Sequence, residues 1–224
     1  MAEERKPVTP RPAASVVLMR RGGKHGQRAL EVLLLQRDPN AAFFPGAWVF
    51  PGGACEPEDG EGVDGYRACA IRELREEAGI ELPADEEMIP FCRFITPEVV
   101  PRRFDAWFFM ALAPAHTPPK VDGCEIVDAG WFRPAAALAD ADDGGVGLAF
   151  PTRIQLGWLA EHATSNDALD AYRGRSVEPM IPEVVGEGAE TRVILPGIAD
   201  SGAMRNLAEE IEVRKLADEI RRSD

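Results

Sequence analysis

The sequence predicts an α/β fold in which a mixed β-sheet is covered by helices. Three observations carry this. Apolar runs of strand length are interspersed with helical patterns. They lack the regular alternation of strand and helix that builds doubly wound or barrel folds. Hydrophobic residues make up 45% of the 224, enough to bury a substantial core.

The elements follow in chain order. Residues 1–13 are charged, hold three prolines and predict a loosely attached arm. The apolar run 14–19 predicts a first strand and 30–36 a second. Between them, 20–28 carries three glycines and five basic residues counting His25, which reads as a hairpin loop. Asp38-Pro39-Asn40 marks a turn. Trp48-Val49-Phe50 predicts a short strand entering Pro51-Gly52-Gly53. Residues 60–65 read as loop, and 66–78 as a helix that Gly79 terminates. Ala68, Ile71, Leu74 and Ala78 recur at helical spacing and predict its buried stripe. Strands are expected at 91–95 and 104–113, around the proline-bearing loop 96–103. The second is apolar almost throughout, so a central position is expected. A strand at 126–132 and helices at 133–139 and 152–163 follow. Residues 174–202 are rich in Pro and Gly, with a strand candidate at 191–195. A mixed-charge helix at 203–222 reads as a packing or dimer element. The expected organisation is an arm (1–13), a principal domain (14–165) and a C-terminal extension (166–224).

Net charge is -13, from 38 acids against 25 bases. This argues against a nucleic-acid partner, whose phosphates call for a basic surface. It leaves room for a small phosphorylated ligand held through a cation. Cys55, Cys69, Cys92 and Cys124 form no C-x-x-C pair, so reduced thiols are expected rather than zinc. The N-terminus lacks a secretory apolar core, and no apolar run reaches membrane-spanning length. A cytoplasmic protein without a membrane partner is the expectation.

The chemistry concentrates in Arg72-Glu73-Leu74-Arg75-Glu76-Glu77-Ala78-Gly79-Ile80, downstream of Phe50-Pro51-Gly52-Gly53. On a helix, Glu73, Glu76 and Glu77 are neighbours. Three such carboxylates repel one another unless a hard divalent cation gathers them. Glycines upstream let backbone carbonyls approach the same ion closely, and Arg72 can orient a carboxylate through a bidentate pair. A Glu-rich helix by itself is usually a solvated face. The terminal Gly79-Ile80 and the upstream glycine turn shift the reading to a metal site.

At this point the chain resembles the Nudix hydrolases. Residues 72–80 look like the second half of the Nudix box, and Gly52-Gly53 like its glycine start. The resemblance implies a Nudix-type α/β/α sandwich with a mixed β-sheet. It also implies Mg²⁺- or Mn²⁺-dependent hydrolysis of a nucleoside diphosphate linked to another group. Glu76 and Glu77 would be the principal metal ligands. Glu73 would be a further ligand or would position the water, and the Gly52 carbonyl would complete the site. The family places an acid six residues after its glycine and eight before the arginine. Asp64 stands eight before Arg72, but Gly53 then requires five extra residues. Residues 56–62 read as a lengthened loop, with Glu56 as a rival to Asp64.

Further segments resemble the branch of peroxisomal-type coenzyme A diphosphatases. They are Leu35-Gln36-Arg37, residues 44–53, Ile95-Thr96-Pro97-Glu98, Arg102-Arg103-Phe104-Asp105 and Phe150-Pro151-Thr152. Coenzyme A or an acyl ester is therefore the preferred substrate. ADP-ribose, a dinucleotide or an oxidised nucleoside triphosphate is the alternative, and a nucleotide-sensing module without catalysis a third reading. Arg37, Arg102 and Arg103 are candidate phosphate ligands. Glu98 and Glu125 are candidates for an acid outside the box. The aromatic residues Phe43, Phe44, Trp48, Trp107, Phe108, Phe109 and Trp131 read mainly as core, with Phe43 or Phe44 available to stack on a base. A homodimer is compatible with the terminal helix.

Overall fold

A computed structural model describes residues 8–22, 29–41, 44–100, 102–121, 123–185 and 192–195. Residues 1–7 of the expected arm, the loop residues 23–28 with His25, Phe43 and the expected helix 203–222 lie outside these.

Strands β1 (Arg11–Gly22) and β2 (Ala29–Arg37) form an antiparallel hairpin, with Met19 opposite Val32 and Gly22 opposite Ala29. Both are apolar on both faces. Ala14, Val16, Leu18, Leu33 and Leu35 point to one side, and Val17, Met19, Leu30, Val32 and Leu34 to the other. Side chains alternate along a strand, so such runs fit only a sheet covered on both sides. Beyond Met19 and Val32 a new segment takes over the pairing. Strand β3 (Trp48–Val49) pairs with β2, while β4 (Gly52–Ala54) pairs with β1. The glycine turn is therefore itself part of the sheet.

Strand β6 (Phe104–Leu112) runs parallel to β1, and β5 (Ile89–Ile95) runs antiparallel to β6. Strand β7 (Ile126–Phe132) pairs with β2, and β8 (Pro179–Met180) pairs parallel with β5. A separate two-stranded ladder joins β9 (Glu183–Val185) to β10 (Arg192–Ile194). Helix α1 (Gly62–Ala78) covers one face of the sheet through Cys69, Ala70, Leu74 and Ala78. Helices α2 (Pro134–Asp142), α3 (Phe150–Leu159) and α4 (Ser165–Tyr172) cover the other. This is the expected three-layered α/β/α arrangement with a mixed sheet. Among the described residues no helix is long and apolar enough to cross a membrane.

Several expectations change. β1 starts at Arg11, inside the expected arm, because Arg11–Met19 pairs with Phe104–Leu112 of β6. α1 starts at Gly62, so most of the stretch 60–65 is helix. Ala68 and Ile71 are exposed. The helix lies on the sheet through its small residues, with Gly65, Cys69 and Ala70 buried, and larger apolar side chains would hold it further off. α4 and β8 were not legible. α4 is short, and its start is fixed by a capping box in which Thr164 and Asp167 bond each other's backbone N–H.

Candidate active site

The acidic helix and the glycine turn face each other across the α1–β4 contact. Glu77 sits on the buried side of α1 at 8% exposure. Its Oε2 accepts the Gly52 N–H at 2.8 Å. Glu73 lies one turn earlier, against Gly53. A Cβ built on Gly53 would stand 2.6–2.7 Å from the Glu73 carboxylate atoms, so only glycine permits this approach. Gly52 is more tightly constrained, since its Cβ would meet backbone, the Ala14 carbonyl at 2.5 Å and Ser15 Cα at 2.6 Å, besides Ser15 Oγ at 2.1 Å.

Burial pushes the Glu77 carboxyl up to about 8, against the opposing hydrogen bond from Gly52. Glu73 and Glu125 push it in the same direction as burial, and Arg37 in the other. Burial also raises Glu73, against the pull of Arg72. Two carboxyls held above their ordinary range, beside a close-approach backbone, suit a site that takes a cation. A divalent ion would compensate charge that the protein leaves only partly neutralised. The residues therefore fit the oxygen-rich site that the family resemblance implies.

The three box carboxylates share one side of the helix, and two partners divide them. Arg72 draws two of them, reaching Glu73 Oε1 at 2.9 Å and Glu76 Oε2 at 3.0 Å. Gly52 holds the third. Glu76 is half-exposed at its side chain, 51%, and Glu77 is the deep member of the set.

Arg72 is the hub of the site. Its Nε and Nη2 meet both oxygens of Asp59 at 3.0 and 2.9 Å, and Nη2 also donates to the Ala54 carbonyl at 3.1 Å. The Arg72 hydrogen bonds, ahead of all other causes, hold the Asp59 carboxyl below its ordinary value. Sequence reading missed Asp59. It lies six residues after Gly53, the family spacing for the acid, and 13 before Arg72 instead of eight. The five extra residues therefore follow the acid. They include the start of α1, while Pro57–Asp59 forms a single 3₁₀ turn. Asp64 is exposed at 93% at its side chain and, among the described residues, pairs with Arg67 alone. Glu56 is exposed and caps the 3₁₀ turn. Neither takes the role that sequence counting offered them.

The remaining candidates separate. Arg37 ends β2 at a register shift against β7, where it pairs with Ile126. Such irregularities re-aim side chains. The Asp38 N–H bonds the Glu125 carbonyl at 2.9 Å, so Arg37 and Glu125 flank one strand end, both within electrostatic reach of Glu77. Glu98 is exposed on the loop between β5 and β6. Arg102 is exposed on the same loop. Arg103 is buried at 7% and bonds the carbonyls of Thr96 at 3.0 Å and Val8 at 2.7 Å. It ties the start of the chain to this loop, which removes it from the phosphate-binding set. Trp48, Phe108 and Phe109 are core as expected, while Phe44, Trp107 and Trp131 are half-buried.

Comparison with known proteins bears on the family and the fold. The family model for the NUDIX domain matches residues 9–148. A curated Caenorhabditis elegans protein named "Putative nudix hydrolase 7" is 28% identical over 211 residues, covering 78% of this chain and 68% of that protein. A NUDIX hydrolase from Alicyclobacillus acidocaldarius shares the fold with a TM-score of 0.62 at 24% identity, over 72% of this chain and 96% of its own. A mutT/nudix family protein from Listeria innocua gives 0.50 at 25% identity, over 73% and 95%. The matched residues contain the glycine turn, Asp59 and the acidic helix, and the chain belongs to the Nudix family, whose hydrolases act on diphosphate linkages and generally use divalent metals.

Proposed function

We propose that this protein uses Mg²⁺ or Mn²⁺ to hydrolyse the diphosphate linkage of a nucleotide derivative. The single observation that carries the reading is Glu77. It is a buried carboxylate raised by desolvation, set against glycine backbone and flanked by Glu73. Glu73, Glu76, Glu77 and the Gly52 carbonyl would hold the cation. Once bound, the cation would offset phosphate charge and make a water more acidic. Arg72 fixes Glu73 and Glu76 from behind and ties them to Asp59. Glu125, at the strand end within electrostatic reach of Glu77, would take a proton from the attacking water. Arg37, next to it, can hold a phosphate oxygen and so select a charged substrate. Arg102 can add a second contact from its exposed loop.

For the substrate, coenzyme A or an acyl ester is the preferred reading, with a phosphopantetheine and an adenosine bisphosphate as products. It rests on the sequence segments around Arg37, Phe44-Pro45-Gly46 and Arg102-Arg103-Phe104-Asp105. Product release from a panel of coenzyme A, ADP-ribose and dinucleotide substrates tests both levels. Wild type should turn over with Mg²⁺ or Mn²⁺, while Glu76→Gln and Glu77→Gln should lose at least about a hundredfold in kcat, the scale of a lost electrostatic contact. A panel without any turnover, or full rates in both variants, sinks the hydrolase proposal. ADP-ribose turning over with the higher kcat/KM would remove coenzyme A as the preferred substrate.

A further inference from the structure

A second cluster lies behind the acidic face, between β4 and α1. Cys55 follows β4 directly, and its N–H donates to the Pro12 carbonyl at 2.9 Å. Cys69 is fully buried on α1, with Sγ 3.8 Å from both the Gly53 carbonyl and Arg72 Nη2. The two sulfurs and an Asp59 oxygen all lie within 4.8 Å of one another. Cys55 is partly accessible. A metal ion at this cluster would need Asp59, whose oxygens Arg72 already holds. The two thiols need nothing from Asp59.

We infer that Cys55 and Cys69 are a redox modification site that closes to an intramolecular disulfide. A low-molecular-weight disulfide such as oxidised glutathione is the oxidant. The accessible Cys55 thiolate attacks one sulfur of it, which forms a mixed disulfide and releases one glutathione thiolate. Cys69 then attacks the Cys55 sulfur and displaces the second glutathione. Two thiol protons are lost, and the electron pair leaves on the two glutathione thiols. Cys55, burial and the carboxylates of Asp59 and Glu73 hold the Cys69 thiol above its ordinary value, so the accessible Cys55 takes the first step and the attack by the buried Cys69 is the slow one. The closed bond staples the end of β4 to α1 and encloses the Asp59 turn. It thus holds covalently the same two elements that the Asp59–Arg72 pair joins.

The test uses the full chain carrying Cys124→Ser, because Cys124 is exposed and would form adducts of its own. The protein is equilibrated in reduced and oxidised glutathione, and intact mass and peptide mapping follow. The expected product has lost two hydrogens, carries a Cys55–Cys69 bond, and returns to the dithiol with dithiothreitol. Its Tm should exceed that of the reduced form by roughly 5–10 °C, as closing a short loop predicts. Adding Cys55→Ser, a change at the partly accessible position, should abolish both the bond and the shift. A stable glutathione adduct on Cys55 with Cys69 still free would overturn the inference. So would a Tm unchanged by oxidation. Neither readout uses hydrolysis, so the result stands apart from the proposed activity.

Discussion

Replacing Asp59 by Asn tests whether the turn after the glycine strand is anchored through Arg72. The wild-type pair makes two charge-assisted hydrogen bonds, at 3.0 and 2.9 Å. Its side chains are only 17% and 6% exposed. Asn keeps one acceptor for the guanidinium and turns a donor toward the other N–H, so one bond and the carboxylate charge are lost. Exposed ion pairs are worth about 0.2–1 kcal/mol and breaking buried ones costs about 3–5. This pair lies between, which gives a loss of about 2–3 kcal/mol. Urea unfolding followed by circular dichroism at pH 7 would read it, with a Tm lower by roughly 5–10 °C. The pH dependence has a defined sign. The Asp59 carboxyl is depressed below its ordinary 3.8, so its contribution is present above that value and lost as pH falls through the folded one. The gap between wild type and Asp59→Asn should therefore close in strong acid. A double-mutant cycle with Arg72→Gln should show coupling above about 0.5 kcal/mol. An Asp59→Asn protein as stable as wild type at pH 7, or additive effects of the two changes, would refute the anchoring argument.

Gly53→Ala should displace the Glu73 carboxylate that its Cβ would overlap, weakening Mg²⁺ affinity about tenfold or more in calorimetric titration. For Glu77, raised to about 8 from 4.5, the stability tied to its retained proton is fully present below about pH 4.5 and lost as pH rises toward 8. In chelator, wild type should therefore lose stability relative to Glu77→Gln by up to about 1.4 kcal/mol per pH unit across that window. A difference that does not vary with pH would contradict the burial of this group. Arg103→Met should cost about 1–3 kcal/mol, by leaving the Val8 and Thr96 carbonyls without their donor. It should leave kcat/KM for the best substrate of the panel unchanged, and a large kcat/KM loss without a stability loss would restore Arg103 to the phosphate site.

What the sequence showed and what it hid follow from the range of each interaction. Glu73, Glu76 and Glu77 are related by one helical turn, so their common side can be read from spacing. The same holds for Gly79, which adopts the left-handed conformation at φ 63° and closes the helix. Asp59 was hidden because it meets Arg72 across an insertion, and counting could not place the extra residues before or after the acid. The burial of Glu77 was hidden because Ala68 and Ile71 advertised a different buried stripe. Small residues set the true face, and they carry little hydrophobic signal. Arg103 reads as a solvated loop charge until Val8 is brought to it from the far end of the sequence. Between Glu98 and Glu125 the chain order is silent. The pairing of β2 with β7 separates them, because it delivers Glu125 to the strand end of Arg37.

The two-residue strand β8 has a bearing on how copies of this protein meet. It pairs with Arg93 and Phe94 of β5, a seven-residue strand, and so interrupts an outer edge that would otherwise offer a row of free N–H and C=O groups. A naked edge of that length is a template for intermolecular β-pairing and aggregation. β8 is too short to serve as one, and Pro179 supplies no N–H. The segment after α4 thus acts as a guard on the sheet. A chain cut just before Pro179 should keep its acidic helix and glycine strand yet become prone to self-association through β5, visible by light scattering as a rise in particle size with concentration.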